Sequence, residues 1–262
     1  MRRPPTRTFR EEHAHVQDQR IFQNQPGFRQ NAALLRSTGT AQAGAHGRGD
    51  RLPLLYRGAI DTASPHPGLL GRPALILALL TTVFGFGGVF AGYTYISPFL
   101  LQITGLSERS VSVMLLVFGI GAAIGNWIGG RLADRHLMLT LYGALALLAL
   151  TMAVFPLLGG EPVPAAVLVL IWGMAGFALV PPLNMLVLQK AGEAADLASS
   201  LNISAFNVGN ALGAALGGAA IQSGLALRGA PAAGALIGVI GLATLSAAAA
   251  ADRRRRMRAA RE

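Results

Sequence analysis

Ile124-Gly125-Asn126-Trp127-Ile128-Gly129-Gly130-Arg131-Leu132-Ala133-Asp134-Arg135 is the stretch that decides the fold. Apolar residues and a glycine ridge run without interruption into a cluster of charges, and those charges begin where a membrane-spanning helix would reach water. A junction of this kind belongs to a polytopic membrane protein.

The rest of the chain agrees with it. Hydrophobic residues make up 52% of the 262 residues and charged ones only 13%, with a mean hydropathy of +0.48, which is too apolar for an ordinary soluble domain. The net charge of +10 would suit nucleic acid if it were spread over a soluble surface, but half of the 22 basic residues precede Pro73 and another group follows Asp252. No nucleic-acid partner is expected from that distribution. Cysteine is absent and four of the five histidines lie ahead of Pro73, so no thiol chemistry and no metal-ligand spacing are present. Glycine-rich Gly85 to Gly88 lacks the Lys-Ser/Thr of a phosphate-binding loop. No cofactor is expected, and no catalytic residue.

The chain divides near residue 72. Residues 1–72 carry no sustained apolar period and read as a disordered basic tail, neither a secretory signal nor a transit peptide. From Pro73, six apolar segments of spanning length follow at about 74–100, 111–130, 137–158, 164–188, 198–225 and 231–250. Helices are required, because open backbone cannot be satisfied in lipid. Residues 252–262 form a second basic tail. The fold class is therefore all-α, a bundle of six transmembrane helices, with the lipid bilayer as its first partner.

Arg253 to Arg256, Arg258 and Arg261 place the end of the sixth span in the cytoplasm by the positive-inside bias. Counting back brings Arg131, Arg135, His136, Lys190 and Arg72 to the same side. Both groups of charges support one topology.

The second and fifth spans carry glycine ridges, Gly121, Gly125 and Gly129 in one and Gly209, Gly213 and Gly217 in the other, where a second backbone can approach closely. In the fifth span Asn207 and Asn210 share a face, whereas Asn202 falls on the side of the ridge. Buried amides need partners: Asn202 is expected to bond at a helix interface, and Asn207 and Asn210 either do the same or line a wet cavity. Tyr93 and Tyr95, near the end of a first span bent by Gly85 to Gly92 and Pro98, are belt anchors or cavity walls. Pro181 and Pro182 predict a kink or hinge in the fourth span.

These residues resemble the major facilitator superfamily, and within it the drug and sugar efflux branch typified by the arabinose efflux permeases. Its cytoplasmic motif Gly-x-Leu-Ala-Asp-Arg-x-Gly-Arg-Lys is matched by Gly130-Arg131-Leu132-Ala133-Asp134-Arg135-His136, after which Leu137-Met138-Leu139 departs from it. Ser200 to Gly213 resembles the eleventh helix of that branch and Tyr93-Thr94-Tyr95-Ile96-Ser97-Pro98 its seventh. The resemblance covers residues 73–255, the carboxyl-terminal six helices of a twelve-helix fold.

What it implies is a secondary transporter of the efflux type in the bacterial inner membrane, an antiporter exporting a small molecule, drug, sugar or metabolite, by alternating access and proton coupling. It also implies a second six-helix half, or a homodimer. Gly125, Gly129, Gly130, Arg131, Asp134 and Arg135 become a gating motif, with Asp134 meeting the positive end of a helix in the other half. The glycine ridges then face that half, whereas the residues taken alone point to plain helix packing within this bundle. Two alternatives stand beside this reading: a truncated or frame-disrupted fragment without activity of its own, and a membrane interaction module acting through its basic tail.

Overall fold

In the computed structural model the described residues are 73–259; the tail expected at 1–72 lies outside them. Among the described residues every regular element is helical. They are α1 (Pro73–Tyr93), α2 (Ile96–Gln102), α3 (Glu108–Leu158), α4 (Pro162–Phe177), α5 (Val180–Ala191), α6 (Ala195–Ala220) and α7 (Gly229–Ala259), with short 3-10 and π turns at Gly192–Ala194 and between α6 and α7.

Four continuous helical runs are long and apolar enough to cross a membrane, Pro73–Gln102, Glu108–Leu158, Pro162–Ala191 and Ala195–Arg253. Two of these fold back on themselves, so that six spans result. In α3 the ring centroids of Phe118 and Phe155 lie 5.3 and 5.8 Å from that of Trp172, although a straight helix would hold those two residues ~55 Å apart. The reversal is at His136, whose φ of −142° and ψ of 68° are the one non-helical pair in α3. No loop intervenes where a charged turn was expected, because nothing from Arg131 to Arg135 breaks a helix and a single residue absorbs the change of direction. Between α6 and α7 the chain turns at Gly224 (φ 96°) and Ala226 (φ 50°). The fifth span therefore ends at Ala220, ahead of the expected 225. The sixth begins at Gly229, and its helix continues through Arg253 to Ala259, so that most of the expected 252–262 tail is helix.

The first and fourth spans are each broken. Thr94 and Tyr95 separate α1 from α2, and Pro98 has no N–H to return to the Thr94 carbonyl. In the fourth span the break falls at Ala178 and Leu179, just ahead of Pro181 and Pro182. These prolines cannot donate to the carbonyls of Phe177 and Ala178, so the helix gives way one turn before the residues that cause it. Ser107 caps α3 by accepting from the Ser110 N–H at 3.3 Å, and Gly105 (φ 72°) lets the preceding loop turn.

The interior is filled by Leu75, Leu100, Leu141, Leu145, Leu148, Met152, Trp172, Leu183 and their neighbours. An aromatic cluster of Tyr93, Phe99, Phe118, Phe155 and Trp172 ties the first four spans together near one end of the bundle.

Candidate functional site: the glycine ridges, the amide chain and the Asp134 end

Both glycine ridges are consumed inside the bundle. A Cβ on Gly121, Gly125 or Gly129 would collide with the carbonyl oxygen of Leu170, Met174 or Ala178 in the fourth span. Gly173 returns the relationship toward Phe118. On the fifth span, Cβ atoms at Gly209, Gly213 and Gly217 would strike the carbonyls of Val83, Gly87 and Ala91 in the first. The expectation that the ridges meet an absent half is corrected: two pairs of spans, second with fourth and fifth with first, pack backbone to backbone, which is what small residues permit in a bilayer. The Ala178 carbonyl, freed by Pro182, is one of those covered, so the proline break and Gly129 fit each other.

Asn202 is 1% exposed and sits in a chain of side-chain bonds. Thr82 Oγ1 donates to Asn202 Oδ1 at 2.8 Å, Asn202 Nδ2 donates to Asn184 Oδ1 at 2.7 Å, and Asn184 Nδ2 donates to the Val180 carbonyl at 3.1 Å. Three spans are thereby pinned beside the proline break. Asn184 and Thr82 were missed in the sequence; the signal available was a hydroxyl and an amide in otherwise apolar spans.

Asn207 and Asn210 are in different surroundings. Asn207 is exposed and makes no hydrogen bond among the described residues, whereas Asn210 is half-buried and its Oδ1 is buried without a partner. Tyr95 donates to the Ala214 carbonyl at 2.9 Å, and Tyr93 packs among Phe90, Phe118 and Trp172. The two tyrosines are thus held within the bundle by opposite means, one by a hydrogen bond and one by rings.

At the Asp134 end, the Arg131 guanidinium lies over the Trp127 ring, 4.2 Å from its centroid. Arg131, Asp134, Arg135 and His136 are all exposed, and among the described residues the only ion pair is Lys190 with Asp252. That pair joins the end of the fourth span to the end of the sixth. Beside Asp134 the two arms of α3 diverge around a cavity of about 1070 Å³, floored by Met174, Ala175 and Ala178 of the fourth span.

A sequence model of the Major Facilitator Superfamily matches residues 32–214. The chain belongs to that superfamily. The major facilitator match begins ahead of the first described residue and ends in the fifth span. The chain is 48% identical over 194 residues to the inner membrane transport protein YdhP of Escherichia coli K12, an alignment that takes in 74% of this chain and 49% of YdhP. It is 34% identical over 160 residues to the putative transporter AraJ of the same organism, 60% of this chain and 40% of AraJ. To the purine ribonucleoside efflux pump NepI of Salmonella paratyphi B it is 34% identical over 156 residues, 59% of this chain and 39% of NepI. The chain thus spans about half the length, or less, of the curated relatives it matches. With its long apolar helices, this major facilitator chain is an integral membrane protein.

Proposed function

We propose that this chain forms one six-helix half of a secondary transporter of the efflux type, which exports a small molecule across the inner membrane by alternating access against a second six-helix half or a second copy. The observation that carries the reading is a difference between outward faces. The exposed residues of the third span are leucine, alanine and glycine alone, including Leu139, Leu147 and Leu150, which is a face suited to lipid. The second and fifth spans expose Asn126 and Asn207, neither with a hydrogen bond among the described residues, together with Ser204. An amide facing hydrocarbon is costly, so these two faces suit another protein half or a wet cavity between halves.

Between Val111 and Ala249 the ionisable residues lie at or near the ends of spans, so a proton-coupling carboxylate belongs to the opposite half in this reading. Asp134, exposed and without an ion pair among the described residues, is the gate element that reaches the same half, and the carboxyl terminus is cytoplasmic.

The test is reconstitution in liposomes of the purified chain, alone and together with the amino-terminal half of YdhP. Substrate-dependent proton movement is followed with a pH-sensitive dye against a panel that starts with nucleosides. Transport by the paired halves, or by the chain alone as a dimer, supports the reading. Stable pairing without any substrate-dependent proton movement counts against it.

A further inference from the structure

The cavity in the crotch of α3 is unlike the outward faces of the second and fifth spans. Its walls include Leu139, Gly143 and Leu147, which belong to the wholly apolar outward face of the third span. It opens, therefore, on the side that suits lipid. Ile128 and Leu132 supply the opposite wall.

Only the tip of the crotch is charged. Arg131, Asp134, Arg135 and His136 all border the cavity, all are exposed, and none of them makes an ion pair among the described residues. Two guanidiniums against one carboxylate leave an excess of positive charge at the rim, with the carboxylate beside it as an acceptor. The rim coincides with the end of two spans, where headgroups lie. From His136 to Leu147 the wall extends ~16 Å along the helix at 1.5 Å per residue, close to half of the roughly 30 Å hydrocarbon layer, and beyond His136 its one polar side chain, Thr140, is bonded to the His136 carbonyl. The groove is therefore one leaflet deep.

We infer that the crotch of α3 is a binding site for a single phospholipid, whose phosphodiester lies between Arg131 and Arg135 and whose acyl chain occupies the groove between Ile128, Leu132, Gly143 and Leu147. Arg131 is already held by Trp127, which orients its charge at low entropic cost. The Asp134 carboxylate accepts from the ammonium or hydroxyl group of the headgroup. The lipid fills a space that side chains leave open: a Cβ on Gly143 would meet nothing within 4 Å.

Native mass spectrometry of the full chain, delipidated in detergent and supplied with phosphatidylglycerol, phosphatidylethanolamine or a diacylglycerol of the same chains, tests the site. The expected result is one phosphatidylglycerol retained per chain and no comparable retention of diacylglycerol. The double variant Arg131→Gln/Arg135→Gln should lower retention roughly tenfold or more, as loss of two cations near an anionic headgroup implies. Gly143→Leu, placed in open space with all charges intact, should lower it comparably by occupying the groove. Equal retention of phosphatidylethanolamine, lost selectively in Asp134→Asn, also supports the site and identifies the headgroup partner. Wild-type retention in both the arginine and the Gly143 variants overturns the inference, as does equal retention of diacylglycerol. So does a photo-crosslinker at Leu139 that captures protein rather than lipid in native membranes.

Discussion

Asn202 donates to Asn184 across the gap between the fifth and fourth spans at 2.7 Å, one turn beyond the paired prolines that break the fourth span. The half-helix Val180–Ala191 has lost two backbone hydrogen bonds to those prolines, and this amide contact helps to fix its direction. Asn202→Ala strands the Asn184 oxygen and leaves Thr82 only its weak 3.4 Å contact with the Ala78 carbonyl. The expected loss is ~0.6 to 1.7 kcal/mol, from the average to the largest coupling found by double-mutant cycles for interhelical bonds in a membrane protein, read as an earlier unfolding midpoint in mixed micelles. An unchanged midpoint would show that the amide chain contributes no stability.

The close approach of the second and fourth spans gives a matched pair of variants. Gly125→Ala drives a methyl group into the Met174 carbonyl, whereas Gly119→Ala meets nothing within 4 Å. The first should destabilise the bundle by ~1 to 3 kcal/mol, as overpacking does, and the second should be neutral or slightly stabilising. Equal effects of the two would remove the backbone contact as their cause.

Gly213 separates what the sequence made legible from what it did not. The ridge itself, its spacing and its need for a close backbone were readable from Gly209, Gly213 and Gly217. Its partner was not, because periodicity names the face of a helix but not the helix opposite. The Gly87 carbonyl takes the place that the resemblance gave to another half, and plain packing within the bundle, the other reading of the ridge, is what the structure shows. The number of spans was legible for the same reason that the runs of 108–158 and 195–253 were hard to divide: hydropathy measures length in lipid, while reversal depends on single residues such as His136 and Gly224. Asn184 shows the converse, since its role depends on a break set by Pro181 and Pro182. Gly213→Leu should accordingly lose the folded bundle itself, seen as loss of the monodisperse peak in size-exclusion chromatography, before any assembly is measured.

Lys190 and Asp252 tie the ends of the fourth and sixth spans, with side chains 18% and 23% exposed. Water reaches both, so the pair is worth less than a buried one and roughly 1 kcal/mol is expected after screening. A double-mutant cycle of Lys190→Met and Asp252→Asn should return a coupling energy of that order at low salt, shrinking at ~1 M salt as the Debye length falls to about 3 Å. A coupling of zero at low salt would show that the two ends are held by helix packing alone.

Asp134 is the most direct test of the gate. It is exposed at the reversal of α3, unpaired among the described residues, and adjacent in sequence to an arginine it does not bind. Such a carboxylate is either solvated for its own sake or kept for a partner that comes and goes. Asp134→Asn preserves shape and helix register while removing the charge, so insertion into the membrane and the unfolding midpoint should both stay at wild-type values. If the carboxylate meets the positive end of a helix in the opposite half, the interaction is worth ~0.3 to 1 kcal/mol, up to ~2 when partly buried. Its loss should shift the balance between inward- and outward-open states by roughly twofold to thirtyfold. Efflux by the paired halves should then fall without loss of protein from the membrane. Efflux kinetics identical to wild type, with the variant fully assembled, would take the charge out of the gate, assign it to solvent or to the lipid headgroup inferred above, and leave the reversal at His136 as the motif's structural role.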